Sequence, residues 1–575
     1  MLGAASIALA VIALLPPESI AQAKLQATSL HNSQAVADSS ELSHRAHDLQ
    51  ARFERRRRQM LPRFSSGPAE HCLIVGRFCE WHPLTPDDDI PREGDGIRDA
   101  RAELLRDLAK TNATLPGDDW IVGQRVRYMI EDHDTSTVSI ARSCRASKWW
   151  CDALLGLALH VRGDFAAADS AYAAALAEMP ELTRCHWLNL APLLDDEARG
   201  PYKKLTCAER EIADARIWLV ADPLYMTPGN ERRTEHFSRV VHTALYADSE
   251  NTYGSRWGGD IAELMLRFGL PEKWTREPSP PMYSDGSVSI SGHEREPGFH
   301  FFTTQMPPES PAAINESLFE LEQFPPREQY APVYARAFEN LDAQVARFRR
   351  GDSTRVVAAY DVGADTIFSR HSFAAAVVAV GDEAAAPSKS QVLESPTRNV
   401  LSVSTPLKAH VVGVELLAAD SAGAARWRAG FAEIPVDSGR ISVSDLLFVD
   451  GGPSLPTDLD EAIPRAHGGT TFRRGEQLGL FWELYGRAPA DSALPISLTI
   501  TPVNEGFLRR TFRVLRVVPK ASPLSIRWRE NGASGLLSAR SVLLDLSKVP
   551  AGKYAVKLEV GNYPNATASR TIEVK

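Results

Sequence analysis

LLGLALHVRGDFAAADSAYAAALAEMP, residues 154–180, is the segment that most clearly predicts the architecture of the first half of the chain. It belongs to a region, from about residue 97 to 180, whose pattern is that of helix pairs. The small side chains at Gly156, Ala168 and Ala175 would let two antiparallel helices approach closely. The larger Tyr172 is expected to fill the groove between neighbouring pairs. The segment therefore predicts an antiparallel helix pair.

The same segment resembles the tetratricopeptide repeat in the spacing of Leu155, Gly156, Ala168, Tyr172, Ala175 and Pro180. Asp152 stands where that repeat opens with Trp, and Trp120 and Gly123 open a weaker unit one period earlier. Because such repeats stand alone only in sets of about three or more, we expect disulfides and flanking helices to support these two. The resemblance implies a concave groove that binds a partner protein, and it makes Tyr172 a candidate binding residue.

The first 23 residues, MLGAASIALAVIALLPPESIAQA, have the pattern of a secretory signal peptide. An apolar run from Ala4 to Leu15 is followed by Pro16-Pro17, which should break a helix, and by the small-x-small cleavage site Ala21-Gln22-Ala23. The run is too short to span a bilayer, which needs about 20 apolar residues. No Lys or Arg precedes it, which departs from the usual pattern. We predict export to the periplasm or the extracellular space, with no transmembrane segment after cleavage.

The composition is that of a globular protein, with 44% apolar and 24% charged residues among 575. The net charge is -9, from 64 basic and 73 acidic residues, which gives no electrostatic reason to expect nucleic-acid binding. Residues 34–60 are predicted to be helical, and the run Arg55–Arg58 within them is interpreted as a solvated helix face.

The six cysteines all precede residue 210: Cys72, Cys79, Cys144, Cys151, Cys185 and Cys207. An even number in an exported chain indicates three disulfides, and of the fifteen possible pairings we predict the sequence neighbours: Cys72–Cys79, Cys144–Cys151 and Cys185–Cys207. Cys144 and Cys151 cannot bridge within one helix, because seven residues rise about 10.5 Å and bridged Cα atoms lie under about 7 Å apart. The alternative is a zinc site on His71, Cys72, Cys79 and His82.

Residues 216–275 contain a predicted turn between two helices. IWLVADPLYMTPGN, residues 217–230, is expected to begin extended and to turn at Thr227–Gly229 before a helix. The apolar face of that helix is predicted to be Phe237, Val240, Val241, Ala244 and Leu245. A second helix is expected after RWGGD, with Asp260 as its cap, Glu263 at the capping-box position and Gly269–Pro271 as its end. Its buried stripe is predicted to be Ile261, Leu264, Met265 and Phe268.

DPLYMTPGNE (222–231), RWGGD (256–260) and LRFGLPEKW (266–274) together resemble the GWxTD domain of secreted bacterial proteins. Trp257 and Asp260 correspond to the Trp and Asp of that motif, whereas Gly258-Gly259 replaces its x-Thr and only Gly269 and Pro271 remain of its last segment. The resemblance implies a bacterial extracytoplasmic protein in which β-domains follow. It implies no established activity.

From about residue 353 the apolar pattern changes to period two. The predicted strands are TRVVAAYDV, FAAAVVAV, HVVGVELLAA, LGLFWELYG, ISLTITPV, TFRVLRVV, LSIRWRE and KYAVKLEVG. They indicate two consecutive antiparallel β-sandwiches of the immunoglobulin or fibronectin-III kind, with Tyr554 as a candidate tyrosine corner. The predicted fold class is therefore multidomain, α then β.

The predicted boundaries follow from these patterns. They are a signal peptide (1–23), an N-terminal helix and linker (24–96), a disulfide-stapled TPR-like helical region (97–215), a GWxTD-like α/β domain (216–280), a connector (281–350) and two β-sandwiches (351–450 and 455–575).

The sequence carries none of the familiar catalytic motifs, such as GxSxG, Walker A or HExxH. The candidate catalytic residues are His236 as an acid or base with Asp222 or Asp260 as its partner, against the alternative of a cap, an ion pair and a core histidine. Trp257 and Arg233 join Tyr172 as candidate binding residues, although a packing anchor is the alternative for Trp257. We predict no metal and no cofactor, since His293 and His300 are too widely spaced for a convincing metal site.

The sequence favours a non-catalytic interaction or scaffold protein that binds a protein partner through its helical repeats, with an envelope polymer or glycan as a further possible ligand. The alternative is an extracytoplasmic hydrolase or carbohydrate-active enzyme centred on residues 216–300. Its requirement is that His236, Asp222 and Asp260 converge in one pocket with perturbed pKa values.

Overall fold

The structure is a computed structural model of the chain. The residues it describes are 17–64, 73–80, 90–278, 288–295, 297–319, 321, 327–381, 386–435, 441–486, 493–503, 524–531, 536–561, 563 and 566–575. The chain has a helical N-terminal part followed by a β-rich C-terminal part, as the sequence predicted. Within the described residues, no helix is both long enough and apolar enough to cross a membrane.

The helices of the first half are α1 (Pro17–Met60), α2 (Asp95–Thr114), α3 (Asp119–Glu131), α4 (Thr137–Arg142), α5 (Lys148–Val161), α6 (Phe165–Glu178), α7 (Glu181–Trp187), α8 (Asp196–Tyr202), α9 (Cys207–Ala221), α10 (Glu231–Ala247) and α11 (Gly259–Phe268). The apolar run before Pro16 lies outside the described residues. Pro17 starts α1, a position where proline costs no hydrogen bond, so the predicted cleavage site lies within this helix.

The α5–α6 pair confirms the helix pair predicted for residues 154–180. A Cβ atom on Gly156 would lie 2.7 Å from the Tyr172 ring, so the glycine is what lets that ring pack against α5. Tyr172 is fully buried, and its hydroxyl lies 2.8 Å from Ser238 Oγ on α10. The ring therefore fills the space between α5, α6 and α10.

The segment before α10 corrects one prediction. Residues 217–221 are helical rather than extended, because α9 begins at a capping box formed by Thr206 and Glu209 and continues to Ala221. Of the face predicted for α10, Ala244 is exposed, and the other four residues are buried as expected.

The start of α11 corrects a second prediction. Its N-cap is Gly258, not Asp260, and no side chain caps it. The carboxylate of Asp260 instead pairs with Arg77, which lies in the turn between β1 (Leu73–Val75) and β2 (Phe78–Glu80). Glu263 pairs with Arg267 rather than forming a capping box. The predicted buried stripe of α11 is confirmed, and the helix ends at Gly269, whose φ is 103°.

Two of the three predicted disulfides are present. Cys144–Cys151 joins the end of α4 to α5 across a turn, and Cys185–Cys207 joins α7 to the first residue of α9. The predicted bridge Cys72–Cys79, and the alternative zinc site with His71 and His82, lie outside the described residues and side chains.

Buried ion pairs tie the N-terminal helices together. Arg127 of α3 contacts Glu54 of α1 at 3.0 Å and Glu131 at 3.1 Å, and its guanidinium lies 3.6 Å from the centre of the Tyr246 ring. Arg57 contacts Glu131 at 2.8 Å and is 3% exposed. The interpretation of Arg55–Arg58 as a solvated face is therefore wrong for Arg57, because its partners come from other segments.

The remaining strands are β3 (Lys273–Pro278), β4 (Val288–His293), β5 (Phe338–Asn340), β6 (Ala343–Arg350), β7 (Ser353–Asp361), β8 (Phe373–Val380), β9 (Ser388–Val392), β10 (Arg398–Pro406), β11 (His410–Ala418), β12 (Ala424–Phe431), β13 (Ser442–Val443), β14 (Leu447–Asp450), β15 (Thr471–Phe472), β16 (Gln477–Tyr485), β17 (Ala493–Pro502), β18 (Leu524–Asn531), β19 (Leu537–Asp545), β20 (Gly552–Val560) and β21 (Thr567–Val574). A short helix, α12 (Leu459–Ala462), precedes β15. The predicted strand TFRVLRVV, residues 511–518, lies outside the described residues.

Four sheets follow the helical part, and the first of them packs against the helices. Their orders are β5-β12-β11-β8-β9, then β10-β7-β6, then β13-β16-β14 with β19 on β16, and last β15-β21-β20-β17-β18. Strand β7 shows why its sequence is apolar at successive positions. Its Val356 and Ala358 face the first sheet, and its Val357 and Ala359 face the third. Both faces are buried, so the pattern is a continuous apolar run rather than an alternation.

The boundaries of the two sandwiches differ from the prediction. Strands β5 and β6 come from the predicted connector (281–350), and β13 and β14, within 351–450, pair with β16 of the second sandwich. The connector also contributes Phe301 and Phe302 to the core between the helices and the first sheet. The tyrosine corner is confirmed, since Tyr554 Oη donates to the Pro550 carbonyl at 2.8 Å.

Candidate functional site

A cleft of about 520 Å³ opens where the helical part meets the first sheet, and we call it the α6–α9 cleft. It is lined by side chains of α6, α7, α9 and α10, by the loop 222–230, and by Val380 and Pro387 at the sheet edge. Its volume lies in the range of ligand-binding clefts, about 300–1,000 Å³. Its apolar lining includes Trp218, Phe237 and Leu176.

Local sequence features hold the walls of the cleft in place. The Cys185–Cys207 disulfide and the Thr206–Glu209 capping box fix the start of α9. At the other end, Asn230 caps α10 through the Arg233 amide and donates its side-chain amide to the Trp218 carbonyl at 2.7 Å.

The loop 222–230 is held against both neighbouring layers. Gly229 has φ of 84°, and a Cβ there would lie 2.6 Å from the backbone nitrogen of Ala166. On the sheet side, Glu415 accepts from the Met226 amide at 2.7 Å, and Arg426 donates to the Asp222 carbonyl at 2.8 Å. The DPLYM segment is therefore the joint between the helices and the first sheet.

Four carboxylates and two arginines line the cleft, and one carboxylate is paired across it. Asp169 of α6 pairs with Arg233 of α10 at 2.5 Å. Burial raises the pKa of Asp169, although Arg233 opposes that shift.

Asp214 is a buried carboxylate of the cleft with one oxygen atom that lacks a partner among the described residues. Its side chain lies on α9 and is 3% exposed. Oδ1 accepts from Tyr202 Oη at 2.9 Å, whereas Oδ2 has no hydrogen-bond partner among the described residues. Burial raises its pKa to about 7, and the Tyr202 hydrogen bond and the charge of Arg210 only partly offset that shift.

Asp222 lies at the C-terminal end of α9, in the loop that joins the sheet. Burial raises its pKa to about 7, with Arg428 acting in the opposite direction and Glu415 reinforcing the shift. Oδ1 accepts from the Leu224 amide at 3.1 Å.

The three predicted catalytic residues, His236, Asp222 and Asp260, do not converge in one pocket. Asp222 lines the α6–α9 cleft, but His236 is 1% exposed, with Nε2 against the Trp187 carbonyl at 3.1 Å. Burial lowers the pKa of His236 to about 3, so it is neutral over the physiological range. Asp260 lies on α11 beside Arg77, whose hydrogen bonds hold its pKa well below the usual value.

The three candidate binding residues are placed differently from one another. Arg233 lines the α6–α9 cleft, as a binding role requires. Tyr172 is fully buried, so its ring has no surface to offer a partner and acts in packing. Trp257 is half-buried and lines a second, shallower cleft of about 510 Å³ between α1 and the loop that follows α10.

Two buried polar groups centred on histidines were not predicted from the sequence, although His300 itself was considered as a metal ligand. His160 lies between Thr234 Oγ1 at 2.9 Å and Glu235 Oε2 at 2.8 Å, an order of atoms like that of a catalytic triad. Thr234 is fully buried, however, so no substrate reaches its hydroxyl, and the group joins α5 to α10.

The second group is centred on His300, which lies between Glu328 at 3.0 Å and Asp195 at 3.1 Å. Burial lowers the pKa of His300, but hydrogen bonds to these carboxylates outweigh it and raise the pKa to about 10. His293, the other histidine considered for a metal site, contacts Thr275 at 2.7 Å. In the described part of the chain, no three His, Cys, Asp or Glu side chains are arranged to hold a metal ion.

The comparisons with known proteins give no family. No protein-family model and no curated protein matches the chain. Among solved structures, a red sea bream transglutaminase is 11% identical with a TM-score of 0.13, over 41% of this chain and 31% of that one. An Escherichia coli alpha-2-macroglobulin, from its MG7 domain to the C-terminus, is 10% identical with a TM-score of 0.16, over 84% and 60%. The chain spans less than two thirds of either protein, and similarities this weak support no conclusion.

Proposed function

We propose that this is an exported, non-catalytic interaction protein that binds a partner protein in the α6–α9 cleft. The observation that carries this proposal is the cleft itself, which joins apolar walls to several charged side chains at the junction of the helices and the sheets. Binding sites of proteins combine a largely apolar lining with a few placed polar groups. The adjoining α5–α6 pair is the unit that resembles a tetratricopeptide repeat. We therefore propose the α6–α9 cleft as the binding site, instead of the concave groove that the resemblance implies.

Export is part of the same proposal. Two disulfides support it, because such bonds persist in oxidising compartments. The signal-peptide pattern of residues 1–23 and the resemblance of residues 222–274 to the GWxTD domain of secreted bacterial proteins agree with it. The stacked sheets then serve as a spacer that carries the cleft.

The alternative, an extracytoplasmic hydrolase, is favoured by one observation. Asp214 and Asp222 line the same cleft, and both have a pKa of about 7, as a general acid would need. Asp214 lies on α9, whereas Asp222 follows its last residue, Ala221, and about 10.5 Å of helix separates Asp214 from Ala221. Paired carboxylates of glycosidases lie about 5–9.5 Å apart. The spacing therefore favours binding over hydrolysis.

A cleft-filling substitution tests the proposal. Ala215→Trp would occupy the cleft, since Ala215 lines it on α9, and Ala173→Trp is the matched control on the exposed side of α6. Whole cells producing each tagged protein would be cross-linked, and the co-purifying proteins identified. We expect wild type and Ala173→Trp to capture the same partner and Ala215→Trp to lose it. The same captures from all three, or recovery of the protein alone, would refute the proposal, provided that all three unfold at similar temperatures.

A further inference from the structure

We propose that the α6–α9 cleft selects a positively charged segment of its partner, with the carboxylate of Asp214 receiving a lysine or arginine side chain. The inference rests on the proposed function and names the chemistry of the partner.

The charges that line the cleft do not balance. Four carboxylates line it, those of Asp169, Glu211, Asp214 and Asp222, against the guanidinium groups of Arg184 and Arg233. Since Arg233 is already paired with Asp169 at 2.5 Å, the lining leaves three carboxylates and one arginine, while Arg210 and Arg428 act on Asp214 and Asp222 from outside the lining. A ligand with positive charge would correct this imbalance.

Asp214 marks where the charge would bind. An acidic cluster alone proves no site, but Asp214 is 3% exposed and its Oδ2 atom lacks a hydrogen-bond partner among the described residues. Buried polar atoms are normally satisfied, because an unsatisfied one costs free energy. A donor brought in by a ligand would satisfy it, and ammonium and guanidinium groups form the strongest such bonds with a carboxylate.

The walls of the cleft suit the rest of such a side chain. Trp218, Leu176 and Leu188 supply apolar surface beside the carboxylates. Lysine and arginine bury their alkyl stems on apolar surface, and their charged ends are attracted to aromatic faces. The volume of about 520 Å³ exceeds one side chain, which favours a peptide segment over a single amine.

Ionisation of Asp214 should couple to binding. The groups that act on it are Tyr202 from α8, Arg210 and Glu211 from α9, and Arg233 from α10. Because burial raises its pKa to about 7, a bound cation would favour the ionised form and release a proton below that pH. Binding should therefore strengthen between pH 6 and pH 8.

Peptide titration of the full chain at pH 8 tests the inference. The probes are fluorescein-labelled Gly/Ser hexapeptides with two lysines, two arginines, two glutamates or two norleucines, the last having the alkyl stem of lysine without its charge. We expect the lysine and arginine peptides to bind at least about tenfold more tightly than the norleucine and glutamate peptides, and to weaken as salt rises. Equal binding of lysine and norleucine peptides would overturn the inference. Binding of free spermidine with no peptide binding would also overturn it, since the site would then take a small amine.

Variants locate the charge that matters. Asp214→Asn should weaken lysine-peptide binding about tenfold or more, as expected for losing a charge-assisted bond. Asp99→Asn, an equal charge change at an exposed position of α2, should leave it unchanged. Glu211→Gln, on the exposed rim, gives a second test that does not disturb the interior, and it should weaken binding less. Wild-type affinity in Asp214→Asn would refute the role of Asp214.

The outcomes separate this inference from the proposed function. If Ala215→Trp loses the partner but the peptides show no preference for lysine, the cleft binds a partner without selecting positive charge. If lysine peptides bind but no partner protein is captured, the cleft is a site for cations and the proposed docking function is wrong.

Discussion

Counting only Asp, Glu, Lys and Arg, the described residues up to 330 include eleven charged side chains that are more than nine-tenths buried, whereas those beyond 330 include four. The first set is Glu54, Arg57, Arg101, Arg127, Asp214, Asp222, Glu231, Arg232, Arg239, Arg267 and Glu328, and the second is Glu415, Arg426, Arg428 and Glu483. Three of the second set lie at the face that contacts the loop 222–226. The fourth, Glu483, lies on β16 of the second sandwich and pairs with Arg350 at 2.7 Å.

The difference shows that buried charges are more frequent in the helical part than in the sheets, although both parts have apolar cores. The sheets are stabilised by the burial of apolar side chains, and such cores tolerate substitutions that keep a side chain apolar and of similar volume. The helices also bury apolar side chains, and in addition they contain buried ion pairs, in which each charge requires its partner. The β part is therefore expected to be robust to charge changes, and the helical part sensitive to them.

The largest effect is expected from Arg127→Met. It removes the guanidinium that lies 3.0 Å from Glu54 and 3.1 Å from Glu131. Breaking a buried pair costs about 3–5 kcal/mol, and because Arg57 remains beside both carboxylates we expect the lower end of that range. Arg540→Met, which removes a partly exposed pair with Glu530 in the β part, should cost about 1 kcal/mol or less. Urea unfolding of both variants measures the two losses in free energy of unfolding. Equal losses would contradict the expected difference between the two parts.

Asp214→Asn should change stability in a pH-dependent way. The folded pKa of about 7 lies above the ordinary value of 3.8, so the folded state holds an extra proton between these values and loses stability as pH rises from about 4 to 7. The asparagine variant lacks this loss and should be more stable than wild type above pH 7, by about 2 kcal/mol and at most about 4. Thermal unfolding at pH 5 and pH 8 measures it.

Asp545 of β19 is the contrasting carboxylate of the β part. Hydrogen bonds from Ser547 lower its pKa, so Asp545→Asn should slightly destabilise the protein at neutral pH. The same sign for both aspartates would contradict the contrast between the two parts.

A smaller effect is expected from Gly156→Ala. The new Cβ would lie 2.7 Å from the Tyr172 ring, and overpacking of this kind costs about 1–3 kcal/mol. Gly200→Ala in α8 is the matched control, because no atom lies within 4 Å of the added Cβ. It should be neutral or slightly stabilising, since alanine favours helices. Equal unfolding midpoints for the two variants would show that α5 does not need this glycine.

The smallest effects should be the same in both parts. Tyr172→Phe removes a hydroxyl contact with Ser238 at 2.8 Å in the helical part, and Tyr554→Phe removes one with the Pro550 carbonyl at 2.8 Å in the β part. Each uncharged hydrogen bond contributes about 1 kcal/mol. Calorimetry should find similar losses, whereas a much larger loss for Tyr172→Phe would mean that the helical part is sensitive to any polar change.

The sequence predicted the features that depend on neighbouring residues. Strands such as β7, β8 and β11 follow from runs of apolar residues, and the α5–α6 pair from Gly156 and Tyr172. The helical form of residues 217–221 could have been recognised as well, because Thr206 and Glu209 are a local helix-start signal.

The features missed depend on distant residues. The role of Asp260 in pairing with Arg77 required a contact between positions 183 residues apart. Asp169 and Asp214 belong to no motif, and they share a cleft only because α6 and α9 pack beside the same loop. Of the predicted site residues, Asp222 and Arg233 do line that cleft.

Photo-cross-linking from the rim of the cleft tests the central claim most directly. The photoreactive residue p-benzoylphenylalanine would replace Glu211, which lines the cleft, and separately its exposed neighbour Ile212 on the same helix, which does not. Both positions are solvent-accessible, so both variants should fold. We predict that position 211 cross-links to a partner protein, within a segment that contains lysine or arginine, and that position 212 does not. Equal cross-linking at both positions, or none at position 211, would contradict the account.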